Sequence, residues 1–176
     1  MRTTLVETLV LRATRIRTLR LSREALLRFA ALTAIVVLAA ALRFGNLAVL
    51  GYANHYYTAA VKSMLQSWHN FFFVAAEPGA SVSVDKPPVG LWIQTLSAYL
   101  FGVNGFGVLL PQIVAGIASV MVVYHLVRRW FATAAGLLAA LALAITPVVV
   151  ATDRNNTMDS TLILVLLLAA WAFIKA

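Results

Sequence analysis

"GVLLPQIVAGIASVMVVYHLV", residues 107–127, carries no charged side chain and ends at the doublet Arg128–Arg129. At ~1.5 Å of rise per helical residue it reaches ~30 Å, the thickness of a bilayer's hydrocarbon core. A basic doublet at the end of such a run belongs on the cytoplasmic side. The whole chain agrees with this reading. Of its 176 residues, 62% are hydrophobic and 11% charged, and the mean hydropathy is +0.89, far from the balance of a water-soluble domain. The chain is an all-α, polytopic membrane protein with room for about four spans and for no second domain. It contains no cysteine, which excludes a disulfide framework, a thiolate zinc site and a thiol nucleophile.

Upstream of residue 107, the run 88–102 makes only ~22 Å of helix, short of a crossing. It reads as a surface or re-entrant helix on the outer side. The first full span is Phe29 to Leu50, with Arg43 near its outer end, where it snorkels or holds a phosphate. Downstream, a third span runs from Thr133 to Ala151, and a fourth starts near Asp159 and ends at Lys175. The net charge of +8 would suggest nucleic acid if it were spread out. Seven of the fourteen basic residues, however, lie in the first 28: Arg2, Arg12, Arg15, Arg17, Arg20, Arg23 and Arg28. Residues 1–28 are therefore a basic cytoplasmic segment held at an anionic surface, long for a cleaved signal peptide. No aromatics interleave with the arginines as they would for nucleic acid.

This topology leaves two charged loops outside, 51–88 and 152–158. In the first, Tyr57, Val61, Met64, Leu65 and Trp68 recur at helical spacing, an amphipathic helix on the outer surface beside the 88–102 helix. His55 and His69 sit among its aromatics as interfacial anchors. The loop closes on "SVSVDKPPVGLW", residues 81–92. Paired prolines suit the start of a helix, whose first amides have no internal partners, so Asp85 and Lys86 are fixed just before a helix N-terminus. The free amides and the lysine favour an anion such as phosphate. Asp85 orients Lys86, binds a divalent cation or accepts a proton; alternatively the two form only an exposed ion pair. "TDRNNTMDS", residues 152–160, repeats the pattern with Asp153, Arg154 and Asp159, the last acting in chemistry or as a helix cap.

The succession of "NHYYTAAVKSML", "VDKPPVGLWIQTLSAYLFGVNGFG" and "LLPQIVAGIASVMVVYHLVRRWFATAAGLLAALALAITPVVVATDRNNTMD" resembles the N-terminal part of bacterial membrane glycosyltransferases of the GT-C class. Its layout is similar to that of the protein O-mannosyltransferases and the lipid A aminoarabinose transferases. The resemblance covers residue 43 to the end and implies that residues 29–176 are a partial GT-C transmembrane module, an N-terminal fragment inactive by itself. It implies transfer of a hexosyl or pentosyl group from a polyprenyl phosphate carrier to an acceptor at the outer face of the bacterial cytoplasmic membrane. The partners are then the lipid-linked donor, membrane lipid and an unidentified acceptor, with no nucleic acid.

Residue by residue, the resemblance makes Asp85 and Asp159 the candidate catalytic carboxylates and Lys86 and Arg154 the ligands of the donor phosphate. Asn54 and Tyr57 become candidate substrate contacts. A divalent metal, if one is used, falls to Asp85; no cofactor is otherwise implied. The family's first outer loop opens with an acidic pair, where this chain has Ala53 and Asn54. A neutral Asn54 cannot serve as a base, so the acceptor-activating role passes to Asp85, to Asp159 or to a residue of the family's longer chain beyond this fragment. Two rival readings are a transporter fragment, which would carry charges at mid-membrane in broken helices, and a small non-enzymatic membrane subunit, which would need packing faces but no charged outer corners.

Overall fold

A computed structural model describes residues 23–175. The basic segment 1–28 therefore lies largely outside the described residues. The chain divides into two compact units, one ending at Ala31 and the other running from Leu32 onward. In the described part of the first, Arg28 pairs with Glu24 one turn earlier at 2.8 Å. The second unit holds both sites described below, and the helix Arg23–Phe44 begins in the first.

The described residues are all-helical in their regular structure, as expected, with one isolated bridge between Ala75 and Ser83. The helices are α1 (Arg23–Phe44), α2 (His55–Met64), α3 (Trp68–Phe72), α4 (Pro88–Phe101), α5 (Gly105–Trp130), α6 (Thr133–Ile145), α7 (Pro147–Asp153) and α8 (Asp159–Lys175), with a 3₁₀ turn at Leu47–Leu50. Helix α5 is the centre of the unit and packs against α4, α6 and α8.

Two helices, α1 and α5, are long and apolar enough to cross a membrane, and α6 with α7 makes a third if the bent pair is one span. The first expected span is displaced. Its helix starts earlier and stops at Phe44, because Asn46 takes a left-handed conformation, φ 55°, and the chain turns into the 3₁₀ segment. The third is broken by 61° between Ile145 and Pro147. Pro147 lacks the amide that would bond back to Leu143 and its ring clashes with that turn, so the apolar run cannot remain one straight helix. The fourth, α8, has 17 residues, ~25 Å, which is marginal for a crossing.

The 88–102 surface helix appears as α4, starting at Pro88. Its polar Gln94, Thr95 and Ser97 are buried, and its apolar Val89, Ile93, Leu96 and Leu100 face outward. That polarity is inverted relative to a water-soluble helix and suits a lipid surround. The helix expected over Tyr57–Trp68 is two pieces, separated at Leu65–Ser67. Asn54 caps α2 by accepting from the Tyr56 and Tyr57 amides, and Ser67 caps α3 by accepting from that of Asn70. The apolar stripe Tyr57, Val61 and Met64 does not lie on a membrane surface. It packs into a protein core with Leu91, Val108, Leu109, Ile113 and Met158. Trp68, the last member of the stripe, is exposed, because the break rotates α3 away.

Candidate active site

Two corners of the fold meet at α4 and α8. Asp85 and Lys86 occupy the bend immediately before α4, and both are exposed. Neither makes a hydrogen bond or ion pair among the described residues, so the exposed Asp85–Lys86 pair is not formed. Asp159 is the first residue of α8, also exposed, and its carboxylate caps no amide among the described residues. Lys86 and Asp159 line one pocket of ≈ 340 Å³, walled by Pro87, Val89, Met158, Leu162 and Val165. A cation and a carboxylate, neither with a hydrogen-bond or ion-pair partner among the described residues, thus share a cavity whose other walls are apolar but for Thr161.

Close approach of the two corners depends on Gly90. A Cβ there would come within 2.7 Å of Met158 Cγ, so any larger residue would push α4 away from the start of α8. Gln112 of α5 holds α8 from behind, its Oε1 accepting from the Thr161 amide and hydroxyl at 3.2 Å each.

Tyr57, on α2, is buried in the core and does not itself line this pocket. Burial raises the pKa of its phenol above the usual value; the positive charge of Lys86 opposes that rise, and the negative charges of Asp85 and Asp159 add to it. Asn54 is committed elsewhere: its side chain caps α2, and its backbone amide donates to Asn156 Oδ1 at 2.7 Å.

Arg154 does not join Lys86. Its Nη1 donates to the Leu42 carbonyl at 3.0 Å, and the side chain lines a different cleft with Leu42, Leu50, Ile145, Pro147 and Val150. Among the described residues no three His, Asp or Glu side chains gather where they could hold a metal ion, and Asp85 has no such companions.

Several structural residues of this region carry no sequence signature. Asn156, fully buried in the loop between α7 and α8, donates through Nδ2 to the Asn54 carbonyl at 3.1 Å and to Thr58 Oγ1 at 2.8 Å, while its own backbone carbonyl accepts from Gln94 Nε2 at 3.0 Å. It thereby binds the loop carrying Asp159 to α2 and α4. Arg43 neither snorkels nor waits for phosphate. It is wholly buried, donates through Nε to Asp153 at 2.6 Å, and bonds the Ala39 and Ala144 carbonyls through Nη1 at 3.2 and 3.1 Å. For this pair the sequence offers only two opposite charges at the ends of apolar runs, with nothing that joins one to the other.

The profile of the dolichyl-phosphate-mannose-protein mannosyltransferase family matches residues 85–176, from Asp85 of the first corner through Asp159 and beyond. Two proteins of Bacillus subtilis (strain 168), YycA and YkcB, whose names carry a provisional mannosyltransferase assignment, are 49% identical over 124 residues and 47% identical over 123. Those alignments cover 70% of this chain but only 18% of YycA and 17% of YkcB, so the chain spans a small part of the length of these relatives. No solved structure matches. With more than half of its residues matched, the chain belongs to the dolichyl-phosphate-mannose-protein mannosyltransferase family, the GT-C type of membrane glycosyltransferase.

Proposed function

We propose that this chain is part of a transferase that moves a sugar from a polyprenyl phosphate carrier to an acceptor at the outer face of the bacterial cytoplasmic membrane. The observation that carries the reading is the pocket shared by Lys86 and Asp159. Displacing a lipid phosphate from a sugar carbon builds negative charge on the leaving oxygen and positive charge on the sugar. A cation at the phosphate and a carboxylate at the acceptor lower that barrier. In this proposal Lys86 holds the carrier phosphate, helped by the first-turn amides of α4 that follow the prolines. Asp159 takes the acceptor's proton, and Asp85, beside Lys86, supplies a second carboxylate. The apolar walls admit the start of the polyprenyl chain and exclude water. Tyr57, on the neighbouring α2, is assigned the role of a substrate contact in this proposal. The basic segment 1–28 and the Arg128–Arg129 doublet lie in the cytoplasm, which puts both charged corners outside.

The test is turnover by the complete protein with polyprenyl phosphate-linked sugar or sugar nucleotide as donor. Asp159→Asn preserves size but removes the base. It should lower turnover with the lipid-linked donor by ~100-fold or more while carrier binding changes little. Turnover that persists in the variant removes Asp159 from the chemistry. Turnover with the nucleotide alone refutes the donor class.

A further inference from the structure

The cleft at Arg154 is separate from the proposed donor pocket: the two have no lining residue in common. It measures ≈ 680 Å³, within the size range of ligand sites; its apolar walls include Leu42, Ile145, Pro147, Val150 and Ala151, and Asn155 adds a neutral amide next to Arg154. Around it the chain exposes Phe44, Val49, Ile145 and Val148, a surface made for lipid rather than water. The neighbouring acid cannot neutralise Arg154, because Asp153 turns inward and is taken by Arg43. No carboxylate lines the cleft, and Arg154 uses one N–H on the Leu42 carbonyl. A guanidinium offers five donors in a planar fork, so the other four have no partner among the described residues.

An uncompensated guanidinium at the polar end of an apolar cleft matches one ligand chemistry, a phosphate diester carrying a long hydrocarbon chain. We infer that this cleft binds an anionic membrane phospholipid, with the phosphate on Arg154 and one acyl chain along Leu42, Ile145 and Val150. The fork suits two phosphate oxygens at once, and the apolar walls replace neighbouring lipid. With no carboxylate in the cleft, nothing there accepts a proton, so the lipid is held and not turned over. The site stands independently of the transferase reading.

Native mass spectrometry of the complete protein from nanodiscs of equal phosphatidylglycerol and phosphatidylcholine tests it. Wild type should retain phosphatidylglycerol about five- to ten-fold over phosphatidylcholine. Arg154→Ala should abolish that preference, Arg154→Lys should keep part of it, and Ala151→Phe, which fills the cleft, should release the bound lipid altogether. Lys86→Ala should leave the preference intact while weakening retention of added polyprenyl phosphate, which separates this site from the donor pocket. The same preference in wild type and Arg154→Ala overturns the inference. So does displacement of the lipid by millimolar inorganic phosphate, which would mark a site for the anion alone, or by polyprenyl phosphate in a Lys86-dependent manner, which would make the cleft part of the donor site.

Discussion

Arg43 and Asp153, 110 positions apart, form an ion pair of 2.6 Å in which the two side chains retain 0% and 2% of their exposure. The pair sits where α6 gives way to α7, and Arg43 also bonds the carbonyl of Ala144, one of the last in α6 and without a helical amide to accept from. Gly116 of α5 is part of the same packing, since a methyl group there would overlap the Asp153 carboxylate.

Removing one member of the pair leaves the other charge buried and unpaired. Arg43→Met or Asp153→Leu alone should therefore destabilise the protein by ~3–5 kcal/mol, and the double variant should recover a large part of that loss. Gly116→Ala should destabilise too, by forcing the carboxylate from its place. Thermal unfolding of the detergent-solubilised variants measures all four; a double variant no better than the worse single would show that the pair is not energetically coupled.

Asn156→Ala removes the partner of the Asn54 carbonyl and amide and of Thr58 together, which detaches the Asp159 loop from α2. Turnover by the complete protein should fall at least ten-fold while carrier affinity, set at Lys86, changes less than three-fold. Hydrogen exchange at the Asn54 amide should speed up in parallel. An equal loss of binding and turnover would indicate general unfolding instead of misplacement of Asp159.

Lys86→Ala should weaken polyprenyl phosphate binding in nanodiscs by about ten- to hundred-fold, the value of one charge-assisted contact to phosphate, and Lys86→Arg should preserve much of it. Unchanged affinity in both variants would leave the Lys86 corner as a loop without a ligand.

The loop before α4 should respond to acid. Glu77 accepts from the amides of Ser81 and Gly79 and from the Ser81 hydroxyl, and these bonds hold its carboxyl below its ordinary range. A depressed carboxyl contributes order above its unfolded-state pKa and loses it as pH falls through the folded one. Protection of the Gly79 and Ser81 amides, corrected for intrinsic exchange, should be full at neutral pH and vanish below the usual carboxylate range. Glu77→Gln should flatten that dependence; a profile the same in both proteins would disconnect Glu77 from the loop.

Sidedness is testable directly. A cysteine at the exposed Gln66 should react with an impermeant thiol reagent added outside intact cells, and one at the exposed Ala132, just past the basic doublet, should react only after permeabilisation. Equal labelling of both positions would undo the proposed orientation.

Much of the architecture was written in local features. The uncharged length of 107–127 gave α5, Pro88 gave the start of α4, and Lys86 and Asp159 stood out as charges beside apolar helices. The break at Pro147 was equally local but was masked by the apolar run around it. What could not be read were relations between distant positions. Nothing near Arg43 names Asp153 as its partner, and Asn156 resembles any loop asparagine until Asn54, Thr58 and Gln94 are brought around it. The separation of Arg154 from Lys86 is of the same kind, since two cations in two loops point together or apart only according to how the helices pack.

The long sequence interval between Arg43 and Asp153 also bears on biogenesis. At ~5–20 residues per second, a ribosome that has finished Arg43 needs roughly 5 to 20 s to supply its counter-charge. Through that interval the C-terminal end of α1 carries a cation that the hydrocarbon does not accept, and the carbonyl of Ala144 that it will also bond is still unsynthesised. Helix α1 is thus locked only after α6 and α7 have been made, and its final depth is set when the α6–α7 bend emerges to receive it.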